Sequence, residues 1–494
     1  MKPVPSDILL LNLPSPPLFD ICRDWAGGFG IAWSRPKRQD YGQSDSPDLQ
    51  ACLPYLSSLF LKRRYDYKIL DCQLLKLNKQ QVLSAAKEHS PKIIISIIGL
   101  PSMKKDLELL RNIKETLPNA IIVGIGATCK AIPEQVLKLG GVDIALRSEF
   151  PYLSGLADVV ETLLKQESVS DVLGISFLDE NEIVNTGDLP SLDLSQIESP
   201  SYKNLQPADY HVFFTDLKGE KYEYVQILGS KGCPYGCFYC PYPVGYGNTV
   251  TFRSPKGIVD EIEFLNSTFK IRGFFFRDTS FTINKKHASD VCNEIKHRNL
   301  DIGWYTEARV NEVDKEILQT MKNVGCKRMS YGVETGNPAT ISKCKGGVDL
   351  NTIKNAFDLT KEAHILRTAN VIVGWPEDDL STLENTYRFV LSLKPDGVNC
   401  NTLVPYPGTD LREIALRDSL IVSDNFDELT PDDCVMKTYH LSAEQLCEEK
   451  KKMVRGFSKF QMRKSMLEVV TGKRRHLGMH EVKGVLSKYV SQGD

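Results

Sequence analysis

The sequence predicts an α/β protein: a doubly wound parallel sheet, then a partial barrel of six strand–helix units, then a helical C-terminal region. Three observations predict it. Five largely apolar runs before residue 150 alternate with segments of helical spacing. From residue 222 a strand–helix pattern repeats six times, and beyond about residue 411 only helical periodicity remains. The corresponding divisions are 1–170 for the sheet domain, 171–212 for a hairpin and linker, 213–410 for the barrel and 411–494 for the tail. At 494 residues the chain is too long for one ordinary core, so two or three domains are expected.

The apolar runs of the first domain fall at residues 8–12, 67–71, 93–98, 120–124 and 142–146. Continuous apolar runs suit strands buried on both faces. Between two of them, Leu107, Leu110, Ile113 and Leu117 have helical spacing. Strands alternating with helices make a parallel sheet, whose ligands sit beyond the carboxyl ends of the strands. Those ends are the small-residue loops 99–102 and 124–128, where Gly99, Gly124 and Gly126 would let a large planar ligand approach the backbone. A dinucleotide fold is the competitor, but no G-x-G-x-x-G follows the first strand, and Gly124-x-Gly126 alone is weak.

Between the first two runs lies an insert, Arg23-Asp-Trp-Ala-Gly-Gly-Phe-Gly30, with a polar tract to Pro47. Such long loops are functional or disordered. Its glycines and aromatics suit a ligand pocket, and a plain surface loop is the equal alternative. Residues 172–177 and 182–185 read as a hairpin, and the proline-rich stretch 187–209 as a linker.

The barrel strands are expected at 222–228, 273–277, 302–306, 328–332, 369–373 and 397–403. Ser254-Pro255 opens a helical pattern at Ile258, Ile262 and Leu265, a cap with proline in the first turn. In barrels the chemistry sits at the carboxyl ends of the strands. Arg277-Asp278-Thr279, Glu307-Ala-Arg309, Gly332-Val-Glu334 and Gly374-Trp-Pro-Glu377 all fall there. A single charged group at a strand end is often a cap or a surface pair; four on one rim point to a site.

Directly after the first barrel strand comes Cys233-Pro-Tyr-Gly-Cys237-Phe-Tyr-Cys240. Soft thiolates favour iron–sulfur or zinc over hard cations. Structural zinc wants four ligands, commonly as two pairs, and no second pair follows here. Three thiolates on so short a loop can hold three irons of a [4Fe-4S] cluster and leave the fourth open. With Tyr239 in the aromatic place, the loop resembles the C-x3-C-x-aromatic-C signature of the radical S-adenosylmethionine (radical SAM) superfamily.

The resemblance extends over roughly residues 5–410. It implies that Cys233, Cys237 and Cys240 ligate the cluster, that SAM chelates the open iron, and that reductive cleavage yields a 5′-deoxyadenosyl radical. The segments at Asp278, Arg309, Glu334 and Gly374 resemble, in order, the SAM amino-group motif, a SAM-contacting arginine, the ribose-side Gly-x-Glu and the adenine-side G-x-I-x-G-x-x-E. Ile372, Gly374 and Glu377 fit the last, whereas Asn370 stands where glycine is expected, and Asp278 replaces the usual Gly-Gly-Glu. The run Pro405-Tyr-Pro-Gly-Thr409 is a further signature of members preceded by a cobalamin-binding domain. The first domain, with Arg147-Ser-Glu149 after its fifth strand, resembles that domain. Its cobalt-ligating D-x-H-x-x-G motif is absent, and His89 is the only histidine before His211. The resemblance thus implies cobalamin without a protein axial ligand; a vestigial domain is the alternative.

The implied activity is cobalamin-dependent C-methylation of an unactivated carbon, with radical cyclisation, rearrangement or coupling as the enzymatic alternative and a non-catalytic zinc protein as the alternative of another class. No catalytic residue beyond the cofactor-binding groups is assigned. An electron donor of flavodoxin or ferredoxin type is the implied partner.

Sixty-one basic against 63 acidic residues give no sign of nucleic-acid binding. Thirteen cysteines, an odd number without paired spacings, predict reduced thiols. No basic, then apolar leader opens the chain at Met1–Asp7, and the longest apolar run is far short of the ~20 residues that cross a bilayer. A cytoplasmic location without a transmembrane segment is expected. The tail carries Lys450, Lys451, Lys452, Arg455, Lys459, Arg463 and Lys464, then Lys473-Arg-Arg475. A solvated helix face is the default reading, with a weak tilt toward a protein or lipid substrate.

Overall fold

A computed structural model describes residues 6–16, 19–34, 47–427 and 433–470. The polar tract 35–46 and Lys473–Arg475 lie outside the described residues. The first sheet contains β1 (Ile8–Asn12), β4 (Tyr67–Asp71), β5 (Ile93–Ile97), β6 (Ile121–Ile125) and β7 (Ile144–Leu146), parallel in the order β4-β1-β5-β6-β7. β2 (Phe19–Cys22) and β3 (Ile31–Ser34) form a separate antiparallel pair that flanks the Arg23–Gly30 segment. All five expected strands are present, and β1 and β5 are buried along their whole length. Leu107, Leu110 and Ile113 face the core from the helix Met103–Thr116.

One difference concerns the hairpin. β8 (Ile175–Asp179) and β9 (Glu182–Asn185) do not stand between domains; β8 pairs antiparallel with β7 and continues the first sheet. Ile175 and Ser176 at the start of β8 are buried, which gives the strand a reason to add to that edge.

The second sheet runs β10 (Phe213–Thr215), β11 (Lys221–Ile227), β14 (Gly273–Phe276), β15 (Gly303–Ala308), β16 (Cys326–Glu334), β17 (Leu366–Val373) and β18 (Gly397–Thr402). β11 to β18 are parallel neighbours, and β10 adds antiparallel at one edge. A short ribbon, β12 (Ser230–Lys231) with β13 (Thr251–Phe252), lies between the first two barrel strands. The cap expected at Ser254 is formed: its side chain accepts from Gly257 N, and Ile258, Ile262 and Leu265 are buried.

The tail is dominated by the helix Ala443–Val470. Its lysines do not form one open basic face. Lys450 is buried, Lys452 pairs with Glu449 at 2.8 Å, and Lys464 pairs with Asp396 and with the carbonyls of Lys394 and Pro395. The thiols need a correction as well. Eleven cysteines stand outside any disulfide, but Cys434 and Cys447 form one. The chain after β18 turns back onto the last helix and brings their Cα atoms to 5.9 Å, a proximity that sequence spacing does not encode. None of the described helices is long and apolar enough to cross a membrane.

Candidate active site

The cysteine loop leaves β12 at the carboxyl end of the barrel strands. Cys233 N donates to Gly247 O (3.0 Å) and Cys240 N to Cys237 O (2.9 Å), so the loop is closed on itself by its own backbone. All three thiols are free and partly accessible. Burial raises the Cys233 and Cys240 thiols, and the other thiols of the loop add to this at both. Thiolates held this close require positive charge. Arg309 supplies some: its Nη1 is 3.8 Å from Cys237 Sγ, its Nη2 donates to Gly346 O (2.6 Å), and its guanidinium stacks 4.0 Å from the Tyr235 ring. Free, clustered soft donors beside a cation fit an iron–sulfur cluster. Among the described residues, no three His, Cys, Asp or Glu side chains are grouped to hold a single metal ion.

Tyr239 is buried with its ring edge-on to Trp375, 4.9 Å away, so the aromatic place is a wall of the site. Trp375 follows Gly374, whose φ of +95° and contact with Leu446 (a Cβ would stand 2.8 Å from it) exclude other residues. The Gly374–Trp375 turn is held by Asp378, whose Oδ2 accepts from both backbone N–H groups at 2.9 and 3.0 Å. Glu377, the residue that fits the sequence motif, is exposed and paired with Lys343. The sequence motif ends on its neighbour Glu377, and the role of Asp378 is visible only in the folded turn.

Glu334 has a left-handed backbone (φ +63°) and a buried ion pair with Lys345 at 2.8 Å. Lys345 also donates to Gly332 O, and a Cβ on Gly332 would strike both side chains. Asp278 is committed elsewhere than expected. Its carboxylate accepts from Gly229 N (3.0 Å) and Ser230 Oγ (2.5 Å), pinning the chain where it leaves β11 for the cysteine loop. It acts on the loop's position. Thr279 continues this by donating to Gly232 O.

The sheet domain meets this loop at its carboxyl edge. The insert is not a surface loop: Arg23, Gly27, Gly28 and Phe29 are buried, and Gly27 and Gly28 pack against the helix Tyr242–Tyr246 and Tyr152. A Cβ on Gly245 would lie 1.7 Å from Gly27 O. Gly99 and Gly124 are filled by the protein's own atoms, with Arg23 Cγ and Ser102 Oγ at 3.1 Å from a Cβ on the first and Cys129 Sγ at 3.0 Å from one on the second. Gly126 (φ +121°) makes the turn before Ala127-Thr128. The three glycines therefore shape the edge without lining open space at Gly99 and Gly124.

Along this junction lie buried polar atoms with no partner among the described residues: Asp24 Oδ1, Trp25 Nε1, Gln50 Nε2, Thr128 Oγ1, Tyr152 OH, Gln226 Oε1 and Arg277 Nε. Burial pushes the Asp24 carboxyl up to about 6, against the pull of the Arg277 charge. Unpaired buried polar groups are uncommon and call for an explanation. An amide-fringed macrocycle between the two domains would provide partners for such a layer, so the residues present fit a corrinoid. No histidine belongs to the layer.

The Arg147-Ser-Glu149 segment joins the two halves. Glu149 Oε2 pairs with Lys231 Nζ at 2.5 Å, Phe150 N donates to Gly245 O, and the Phe150 ring stacks on Tyr246 at 4.5 Å. On the far side, Tyr406 of the Pro405–Thr409 run packs its ring 5.4 Å from Phe29, and Leu411 N donates to Phe238 O.

Residues 227–390 match the family described as Radical SAM superfamily. An uncharacterized methyltransferase of Pyrococcus horikoshii is 26% identical over 396 residues, covering 80% of this chain and 84% of the relative. The anaerobic magnesium-protoporphyrin IX monomethyl ester cyclase of Cereibacter sphaeroides is 28% identical, covering 84% and 67%. Among solved structures, the radical SAM methyltransferase TsrM from Kitasatospora setae superposes with a TM-score of 0.67 at 16% identity, over 90% of this chain and 83% of that one. The cobalamin-dependent radical SAM enzyme OxsB superposes at 0.71 and 15% identity, over 99% and 71%. With the cysteine loop, the barrel rim and the preceding sheet in this arrangement, residues 227–390 form a domain that matches the radical SAM superfamily, and the chain has the fold of the cobalamin-dependent radical SAM enzymes.

Proposed function

We propose that this protein is a cobalamin-dependent radical SAM methyltransferase acting on an unactivated carbon. One observation carries the reading: three free thiols at the barrel mouth face, across a layer of unpartnered buried polar atoms, the carboxyl edge of a doubly wound sheet. When bound, the cluster supplies the electron that cleaves SAM to a carbon radical, and the corrinoid supplies the methyl group. Cys233, Cys237 and Cys240 hold the cluster, and Arg309 offsets the thiolate charge. The Gly374–Trp375 turn, held by Asp378, and the Glu334–Lys345 pair form the rim on which SAM is oriented. Tyr239 and Trp375 exclude water from that side of the mouth, which protects a radical from quenching. Asp24, Thr128, Tyr152, Gln226 and Arg277 provide polar contacts for the corrinoid. The external reductant that the reaction needs is a flavodoxin or a ferredoxin.

The test is anaerobic incubation of the reconstituted protein with dithionite, SAM and cobalamin, with chromatography of the nucleosides. Methylation requires 5′-deoxyadenosine and S-adenosylhomocysteine in equal amounts, both rising with cobalamin. Deoxyadenosine alone, indifferent to cobalamin, transfers the reading to a radical cyclisation or rearrangement; the Cereibacter relative is named as a cyclase.

A further inference from the structure

The inner face of the barrel has two unlike halves. Side chains alternate across a strand, so Tyr224 on β11, Phe275 on β14 and Tyr305 on β15 share that face. The rings of Phe275 and Tyr305 stack 4.2 Å apart, and Tyr224 stands edge-on to Tyr305 at 5.4 Å. The insert fills this half. Trp25 lies 5.9 Å from Phe275, Tyr224 OH donates to Asp48, and Gln226 Nε2 donates to Leu49 O.

The other half is polar. The strand register places Glu307 beside Ser330 and Ser330 beside Thr368; one step nearer the mouth, Asn370 is beside Asn399, and then Ile372 beside Asn401. Asn399 Nδ2 donates to Asn370 Oδ1 at 2.9 Å. Glu307, Asn370 and Asn401 are half-buried and Asn399 is exposed, so a molecule entering the barrel can reach them. Glu307 is the one carboxylate of the six. Burial raises its carboxyl and the Glu334 charge adds to this, while Arg277 acts in opposition; no hydrogen bond from a described side chain satisfies it.

We propose that this polar half is the substrate site, and that the substrate is a small molecule bearing an amino group for Glu307 and hydroxyl or amide groups for the three asparagines. The proposal rests on the radical SAM reading above and narrows its substrate. A hydrocarbon chain seated here would strip water from Glu307 and the asparagines and return no hydrogen bonds. Each polar group so stranded loses its solvation uncompensated, and an ionised carboxylate loses most. An ammonium placed on Glu307 reverses that cost, because paired charge is tolerated where lone charge is not. Asn370 has a function on this view: it occupies the position where the family motif has glycine, and it supplies the amide that Asn399 engages.

The test is saturation-transfer NMR on the cluster-loaded protein with SAM present, using D-glucosamine, methyl β-D-glucopyranoside and n-octanol as probes. The expected result is saturation of glucosamine, weaker saturation of the neutral glycoside and none of octanol. Glu307→Gln and, separately, Asn399→Leu should each weaken glucosamine about tenfold at unchanged SAM affinity, with melting temperatures close to the parent protein. Octanol binding in place of the sugars, no probe binding, or glucosamine binding indifferent to both substitutions overturns the proposal. So does a tenfold loss of SAM affinity in Glu307→Gln, which would assign the carboxylate to SAM. Failure of the wider reading shows separately, as a protein that takes up iron and sulfide yet forms no 5′-deoxyadenosine from SAM and dithionite.

Discussion

Glu149, from the segment after the last parallel strand of the first sheet, pairs at 2.5 Å with Lys231, two residues before the first cysteine of the loop. Lys231 is fully buried and also donates to Tyr246 O at 3.2 Å. Glu149 in turn accepts from Ser191 and lies 3.5 Å from Lys130. Burial works against the Glu149 charge, but the hydrogen bond and charge of Lys231 prevail and hold its carboxyl below the usual range. The chain on either side of the cysteine loop is thus held by the sheet domain, at Lys231 and, through Phe150 N, at Gly245 O.

The two partners are not equivalent, and substitution should show it. Glu149→Ala leaves an ammonium buried without its counter-charge, an expected loss of roughly 3–5 kcal/mol in denaturant unfolding. Lys231→Met leaves Glu149 with Lys130 and Ser191 at a more exposed place, and about 1–2 kcal/mol is expected. Equal losses would refute the asymmetry.

Asp24 predicts a pH dependence of the corrinoid-free protein. Folded, it keeps its proton up to about 6; unfolded, it releases it near 3.8. Between those values the folded state binds more protons, so stability falls as pH rises, by roughly 3 kcal/mol in all. Asp24→Asn should flatten this segment of the stability–pH curve and raise the melting temperature at pH 7. An unchanged slope would mean that Asp24 is ionised within the fold.

Gly245 has backbone against it. A Cβ would lie 1.7 Å from Gly27 O, which cannot move aside as a flexible side chain could. Gly245→Ala is therefore expected to cost about 1–3 kcal/mol and to loosen the contact between the domains. Calorimetry should show a broadened or split transition, whereas Gly236→Ala, with nothing within 4 Å, should leave it intact.

Arg309 acts through the planarity of its guanidinium as well as its charge, since it reaches Cys237 Sγ, Gly346 O and the Tyr235 face together. Lysine can keep the charge but not that set of contacts. Arg309→Lys is expected to retain iron and sulfide yet cleave SAM roughly tenfold to a hundredfold more slowly, read as 5′-deoxyadenosine formation. Full activity in the lysine variant would show that charge alone suffices.

The sequence by itself determined the alternation of strands and helices, the cap at Ser254 and the three-cysteine loop. Each is a property of residues a few positions apart, and local spacing records it directly. Only the tertiary structure decided what depends on side chains from distant segments. Glu149 meets Lys231 across the domain junction, Cys434 bonds Cys447, and Asp278 turns to the backbone at Gly229 although its motif suggests a ligand. The insert has the composition of a surface loop as much as of a pocket, and it is buried because two domains close on its glycines. The hairpin β8–β9 reads as a separate unit until the exposed edge of β7 gives its first strand a partner. A linear pattern specifies which face of an element is apolar; what that face, or a charge beside it, will meet is set by the three-dimensional packing.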